Sequence, residues 1–105
     1  SIAASAQTFH CAGLVSTAGS VVKSKGAYSF TVNKSATGVY DITFGAAHPD
    51  GSNYVVTTDA YSDSSWGNYV DSHFQRTSST VVRITTRATN TGAKTDNEFT
   101  FCVLA

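Results

Sequence analysis

The chain of 105 residues has the length of one domain, and its seven basic and seven acidic residues give a formal net charge of zero. Because the lysines and arginines are few and scattered, the basic surface that nucleic acid or an anionic membrane requires is missing, and both are excluded as expected partners. No apolar run approaches the ~18 residues that span a membrane, so membrane insertion is excluded as well. Charged residues make up only 13% of the chain while Ser and Thr are frequent, a composition typical of β domains on extracellular or particle surfaces.

Residues 1–6 are small and polar, and we expect a flexible connection to an upstream segment there, followed by a single domain over residues 7–105. In that domain apolar and polar residues alternate with a period of two at nearly regular intervals, which predicts β-strands. The predicted strands are 7–15, 20–23, 27–32, 38–44, 53–61, 69–75, 80–89 and 98–104. Eight short strands separated by turn residues predict an all-β fold, a two-sheet antiparallel sandwich.

The same alternation predicts which side chains face the core. The inward sets are Tyr28, Phe30 and Val32; Tyr40, Ile42 and Phe44; Tyr54, Val56 and Thr58, or the opposite set of that strand; Val82, Ile84 and Thr86; and Phe99, Phe101 and Val103. Between two of these strands, Pro49 fits the second position and Gly51 the fourth position of a type I turn. We therefore interpret His48-Pro49-Asp50-Gly51 as a corner between strands.

Two cysteines, Cys11 and Cys102, lie near opposite ends of the chain and fit no zinc-binding spacing. A disulfide between them would join the first and last strands. If the phenylalanines of the last strand face inward, Cys102 faces outward, whereas Cys11 shares a face with Phe9. This alternation favours two free thiols over the disulfide.

No arrangement typical of nucleophilic catalysis is visible, because His10, His48 and His73 stand in no recognisable motif. We interpret His48, beside Pro49, as a turn residue, and His10 and His73 as residues on sheet faces. The sequence therefore predicts that the protein is not an enzyme.

Three aspartates, Asp59, Asp63 and Asp71, surround one loop. They offer the carboxylate pair of general acid and base catalysis, or oxygen ligands for Ca²⁺. Their serine-rich surroundings favour solvated loop acids instead, and no EF-hand spacing supports the calcium hypothesis. We therefore expect no metal or other cofactor.

The segment of residues 61–69 combines one Trp and two Tyr with hydrogen-bonding side chains, which is the composition of a recognition surface. Sugar rings, with an apolar face and a rim of hydroxyls, would suit it. The candidate ligand-binding residues are Tyr61, Asp63, Trp66, Asn68 and Tyr69. Two alternatives stay open: Trp66 covers the end of the sandwich and binds nothing, or the segment contacts a partner protein.

The strand Gly38-Val39-Tyr40-Asp41-Ile42-Thr43-Phe44 resembles the Gly-x-Tyr-x-Phe-x-Phe/Tyr strand of C1q-like domains, with Ile42 at the central Phe position, and residues 99–104 are similar to their last strand. Residues 38–104 are also similar to the tip domains of fibre and surface proteins of tailed phages and large DNA viruses of algae. These tip domains show strings similar to those of the chain, GxYxITF, AHPxGxNYVV and FxxRTSxxxxVR, the last of which corresponds to FQRTSSTVVR at residues 74–83.

The resemblance implies a jelly-roll sandwich of the C1q and tumour-necrosis-factor type that forms a homotrimer at the distal end of a fibre or stalk, and it implies binding rather than catalysis. It places Cys11 and Cys102 near each other on neighbouring strands, and it allows Val81, Cys102 or Leu104 to pack at the subunit interface. The function it implies is attachment to a host cell-surface glycan from an extracellular position on the virion surface. The alternatives are a structural trimerising capsid or fibre cap without an external ligand, and a secreted C1q-like lectin module.

Overall fold

The computed structural model describes residues 9–61 and 69–105, and within them it contains eight strands and no helix that could cross a membrane. The strands are β1 (Phe9–Val15), β2 (Val21–Lys25), β3 (Phe30–Ala36), β4 (Val39–Phe44), β5 (Val56–Ala60), β6 (Val70–Arg76), β7 (Val81–Ala88) and β8 (Phe99–Leu104). They form two four-stranded antiparallel sheets, with the orders β2-β1-β8-β5 and β3-β4-β7-β6. The predicted all-β, two-sheet antiparallel sandwich is therefore confirmed.

The core lies between the two sheets and consists of alternate side chains of their strands. The fully or nearly buried members are Cys11, Val15, Phe30, Tyr40, Ile42, Phe44, Tyr54, Val56, Val82, Ile84, Thr86, Phe99, Phe101 and Val103. Edge-to-face aromatic pairs join the sheets: Phe30 with Phe101 at 4.8 Å and Tyr40 with Phe99 at 4.9 Å between ring centroids. The inward sets predicted for β4, β7 and β8 are confirmed, and each large side chain buried there stabilises the fold by about 2 kcal/mol.

The buried tyrosine hydroxyls have hydrogen-bond partners, as groups removed from water require. Tyr40 donates to the carbonyl of Thr17 at 2.7 Å, and Tyr54 donates to the carbonyl of Val81 at 2.7 Å. Burial raises the pKa of Tyr54 to about 12, although the nearby Arg76 opposes this rise. Both tyrosines therefore remain neutral and serve the core rather than a reaction.

A β-bulge in β1 changes which of its side chains face the core. Phe9 lies opposite Leu104, but Cys11 lies opposite Val103, so His10 is an extra residue in β1. Cys11 is consequently buried in the core, whereas Phe9 is exposed on the outer surface. The prediction that Cys11 shares a face with Phe9 is wrong because the bulge reverses the alternation between them.

The start of β3 also differs from the prediction. β3 begins at Phe30 and continues to Ala36, whereas the pattern predicted 27–32. Tyr28 lies in the connection before β3, where its N–H donates to the carbonyl of His10 at 2.9 Å, and its side chain is 46% exposed. The prediction of an inward-facing Tyr28 is therefore wrong, because this connection bonds to β1 instead of starting β3.

Five glycines of the described residues have positive φ, and the turns of two of them bear on the predicted fold. In the first, the N–H of Gly51 donates to the carbonyl of His48 at 3.1 Å with Pro49 at the second position, which confirms the predicted corner. In the second, between β3 and β4, Gly38 has a φ of 68° and its N–H donates to Asp96 Oδ1 at 2.7 Å. This hydrogen bond, together with the ammonium of Lys34 at 3.1 Å, lowers the pKa of Asp96 and fixes the β7–β8 connection against the turn.

A Gly38→Ala substitution tests the close packing at this turn. A Cβ there would lie 2.6 Å from the carbonyl oxygen of Thr86 and 2.8 Å from the nitrogen of Thr95, in addition to the cost of a positive φ. Gly51→Ala is the matched control, because Gly51 has a φ of 65° but no atom within 4 Å of the added Cβ. In chemical denaturation we expect Gly51→Ala to lower the free energy of unfolding by about 1 kcal/mol and Gly38→Ala by about 3 kcal/mol or more. Equal losses would contradict the packing at Gly38.

Candidate functional site

Tyr61 and Tyr69, the first and last residues of the predicted binding segment, lie at one end of the sandwich, and residue 9 lies at the other. β5 ends at Ala60 and β6 begins at Val70, at the same end as the β1–β2, β3–β4 and β7–β8 connections. We call this the tyrosine end, after Tyr61 and Tyr69. The opposite end, where β1 starts and β8 finishes, is called the histidine end, after His10 and His48.

The backbones of Tyr61 and Tyr69 are anchored while their side chains reach solvent. The N–H of Tyr61 donates to the carbonyl of Glu98 at 2.8 Å, and the side-chain amide of Asn97 donates to the carbonyl of Tyr61 at 2.6 Å. The carbonyl of Tyr69 accepts hydrogen bonds from the N–H and hydroxyl of Thr89 at 2.9 and 3.1 Å. The two side chains are 60% and 46% exposed, so each offers an aromatic surface.

Three of the predicted ligand-binding residues, Asp63, Trp66 and Asn68, lie outside the described residues. The structure therefore places Tyr61 and Tyr69, the first and last members of the predicted group, at the same end of the sandwich. The role of the group stays a prediction.

The aspartates do not form the pair that the sequence suggested. Asp59 lies opposite Thr100 on the outer face of one sheet, and Asp71 lies opposite Arg87 on the outer face of the other. Thr58 and Ser72, one position away, instead meet between the strands, with their hydroxyl oxygens 3.2 Å apart. Asp59 and Asp71 therefore do not share a site, Asp63 lies outside the described residues, and the described parts of the chain hold no group of three metal-ligating side chains.

His48 stands at the predicted turn and His10 in β1, and both rings are buried beside each other at the histidine end, with ring centroids 4.7 Å apart. His10 Nε2–H donates to the carbonyl of Ala46 at 2.8 Å. His48 Nε2–H donates to the carbonyl of Leu104 at 2.6 Å, and its Nδ1 accepts the N–H of Asp50 at 3.0 Å. Because carbonyl oxygens only accept, these bonds fix both histidines with hydrogen on Nε2.

This histidine pair shows no catalytic arrangement. Within residues 9–61 and 69–105, neither ring is hydrogen-bonded to a serine, threonine or cysteine side chain that it could activate. His73 is exposed on β6, opposite Thr85, as a sheet-face residue should be. Sequence reasoning missed the pair because His10 and His48 stand far apart in the chain, and the bulge that buries His10 is not visible in the alternation.

Both cysteines are free thiols on neighbouring strands. Cys11 faces the core, and burial, followed by the proximity of Cys102, raises its pKa to about 12. Cys102 is half-buried, lies opposite Ala12 and faces outward, as predicted. Because the thiolate is the reactive form, Cys11 is chemically inert near neutral pH.

The outer surface of the β2-β1-β8-β5 sheet carries a group of apolar side chains that face away from the core. We call this group the apolar face, and its members are Phe9, Leu14, Val55, Cys102 and Leu104. Val55 is 57% exposed.

One row of outward-facing residues crosses this sheet from β2 to β5 and consists of Lys23, Leu14, Thr100 and Asp59. Its two charged members, Lys23 and Asp59, lie at the two edges of the sheet. Lys25 adds a second cation at the β2 edge. The apolar face is therefore bordered by a basic edge and an acidic edge.

The outer surface of the other sheet is polar. One row across it consists of Asn33, Asp41, Arg83 and Gln75. Arg83 donates hydrogen bonds to both carboxylate oxygens of Asp41, at 2.8 and 3.2 Å. These bonds raise the pKa of Arg83. Val81 belongs to this surface, whereas Cys102 and Leu104 lie on the outer surface of the other sheet.

Comparisons of the chain with protein-family models, curated proteins and solved structures find no match. The sandwich fold stands on the structure itself. The resemblance to C1q-like and viral tip domains stays a prediction from the quoted sequence strings.

Thiol labelling tests the cysteine assignment. With iodoacetamide at pH 8 we expect Cys11 of the folded protein to react at least about 100-fold more slowly than in the unfolded chain, because burial keeps it protonated and covered. A Cys102→Ser variant leaves Cys11 as the sole thiol and serves as the control, read by mass spectrometry. Fast labelling of folded Cys11 would contradict its burial, and labelling of neither cysteine without a reductant would show a disulfide.

Proposed function

We propose that the protein is a non-enzymatic, trimeric head domain of a viral fibre or surface protein that attaches to glycans on the host-cell surface. The observation that supports this best is the contrast between the two outer surfaces of the sandwich. One is the apolar face, and the other is polar and crossed by the Asp41–Arg83 pair. A domain that acted alone would have no need for this difference.

The apolar face supports self-assembly. Phe9, Val55 and Leu104 are adjacent at the histidine end of this face and are exposed in the single chain. Contiguous exposed apolar surface of this kind commonly marks a subunit or partner interface. A second copy of the chain is the occupant that we propose.

The charges at the two edges favour a ring over a twofold pair. Lys23 and Lys25 lie at the β2 edge, and Asp59 lies at the β5 edge. If the β2 edge of each copy meets the β5 edge of the next, opposite charges come together, and a head-to-tail contact of this kind forms a ring when its rotation closes. Two β2 edges facing each other would bring like charges together instead.

Such a ring leaves the tyrosine end free. Tyr61 and Tyr69 lie at the end of the sandwich opposite to Phe9, so the three copies present these residues on the same side of the assembly. Three weak sugar sites on one rigid head raise the overall avidity without any new contact. The aromatic residues give flat, partly apolar surfaces that suit the faces of sugar rings.

The strings shared with viral tip domains support the viral part of the proposal, and the chemistry of the described residues supports the non-enzymatic part. Cys11 is inert, His10 and His48 are bonded to carbonyls, and Asp59 and Asp71 lie on different outer faces. A trimerising cap without an external ligand would use the same apolar face, so only binding at the tyrosine end separates the two functions.

A glycan array tests this proposal. We expect binding of the unmodified protein to one group of related glycans, and a loss of at least about tenfold in Tyr61→Ala and Trp66→Ala, because a stacked ring is lost in all three copies. Tyr28→Ala is the matched control, since Tyr28 is also exposed but lies at the histidine end.

The control should bind like the unmodified protein. An intact fold without binding to any glycan would favour the structural cap. A comparable loss in Tyr28→Ala would show that the tyrosine end is not the site.

A further inference from the structure

A cavity of about 360 Å³ opens at the histidine end, away from Tyr61 and Tyr69. The described residues that line it are His10, Ala27, Tyr28, Ala47, Pro49 and Ala105. The ring of Tyr28 leans against that of His10, with 4.9 Å between the centroids and 50° between the planes. None of these lining residues has a charged side chain at neutral pH when His10 is neutral, so the walls are apolar apart from a phenol and an imidazole.

His10 supplies one unused hydrogen-bonding atom to this cavity. The residue is only 3% exposed, and its Nε2–H is bonded to the carbonyl of Ala46. Its Nδ1 has no partner among the described residues, in contrast to Nδ1 of His48, which accepts the N–H of Asp50. His10 is one of the residues that line the cavity, so its ring borders the space that a ligand would occupy.

The bond to Ala46 also fixes the chemistry of that atom. Because Nε2 holds the hydrogen, Nδ1 of the neutral imidazole is an acceptor with a free lone pair. Among the described residues, no carboxylate lies within salt-bridge distance of His10. His10 therefore brings one hydrogen-bond acceptor to the lining of the cavity, where the other described side chains apart from Tyr28 are apolar.

We propose that this cavity is a binding site for a phenol-type ring, whose hydroxyl donates a hydrogen bond to His10 Nδ1 while its face packs on Tyr28 and Pro49. The size fits: a cavity of about 150 Å³ holds benzene, so this one accommodates a ring with its substituents. The ring spacing that aromatic pairs prefer, about 4.5 to 7 Å between centroids, is already present between His10 and Tyr28.

The lining favours this class over the alternatives. A sugar would leave most of its hydroxyls without partners, since only His10 and Tyr28 have polar side-chain atoms there. An anionic ligand would meet no lysine or arginine on the described walls. A hydrocarbon ring would leave the acceptor of His10 unpaired, whereas a phenol satisfies both the apolar walls and the acceptor.

The test uses the full chain and p-cresol, with amide chemical shifts of Ala27, Tyr28 and Ala47 as the readout. We expect saturable shifts with a Kd on the order of 1 mM, as a ligand of this size allows. 4-Methylanisole, which has the same ring but no hydroxyl hydrogen, should bind about fivefold more weakly. The affinity for N-acetyl-tyrosinamide is then compared with that for p-cresol. This comparison distinguishes between a free phenol and the tyrosine side chain of a partner protein as the natural ligand.

Two variants locate the interaction. His10→Gln retains an N–H donor for the carbonyl of Ala46 but has no acceptor at the Nδ1 position, and it should lower the affinity for p-cresol about fivefold. Tyr28→Ala should abolish the shifts, whereas Tyr61→Ala, at the other end of the sandwich, should leave them unchanged. If His10→Gln does not fold, the comparison of p-cresol with 4-methylanisole on the unmodified chain still tests the hydrogen bond from the ligand hydroxyl to His10.

Equal affinities for p-cresol and 4-methylanisole would overturn the role of His10. No saturable shift with p-cresol would overturn the site. Saturable shifts with a methyl hexoside but not with p-cresol would overturn the ligand class. Each of these results is independent of glycan binding at the tyrosine end.

Discussion

The pairing of the first strand with the last, β1 with β8, is the constraint on which the rest of the structure depends. β2 joins its sheet only through β1, and β5 joins it only through β8. Without this pair the β2-β1-β8-β5 sheet does not exist, and the apolar sides of β4 and β7 have nothing to pack against. Bringing the two ends of a long chain together costs entropy that grows only slowly with length, and burial of Phe99 and Phe101 against Tyr40 and Phe30 offsets that cost.

The same two strands also determine the difference between the outer surfaces. Their inward residues build the core, yet their outward residues Leu14, Cys102 and Leu104 are not the polar residues expected of a solvated sheet face. The other sheet follows the usual rule, with Asp41 and Arg83 paired on its outer surface. One apolar outer face on an otherwise polar sandwich is the reason that we assign assembly to β1, β8 and β5, and ligand binding to the ends of the molecule.

Much of the fold could be predicted from alternation, and the failures have local causes. The core sets of β4, β7 and β8 follow a strict period of two because no extra residue interrupts the β4–β7 and β5–β8 pairings. Alternation fails at Cys11, because the bulge in β1 inserts a residue before it. It also fails at Tyr28, which lies in the β2–β3 connection and is hydrogen-bonded to β1. The cavity at the histidine end could not be predicted, because His10 and His48 are far apart in the sequence and are brought into contact only by folding. Tyr61 and Tyr69 were placed together by sequence proximity, which needs no tertiary information.

The solution mass of the protein tests most directly the claim that the apolar face joins identical subunits. Light scattering at micromolar concentration should give three times the 11.0 kDa of one chain. Val55→Asp places a charge on the apolar face and should reduce the mass to that of one chain, whereas Thr31→Asp, on the polar surface, should leave the trimer intact. A monomeric unmodified chain, or a trimer that persists in Val55→Asp, would contradict the account.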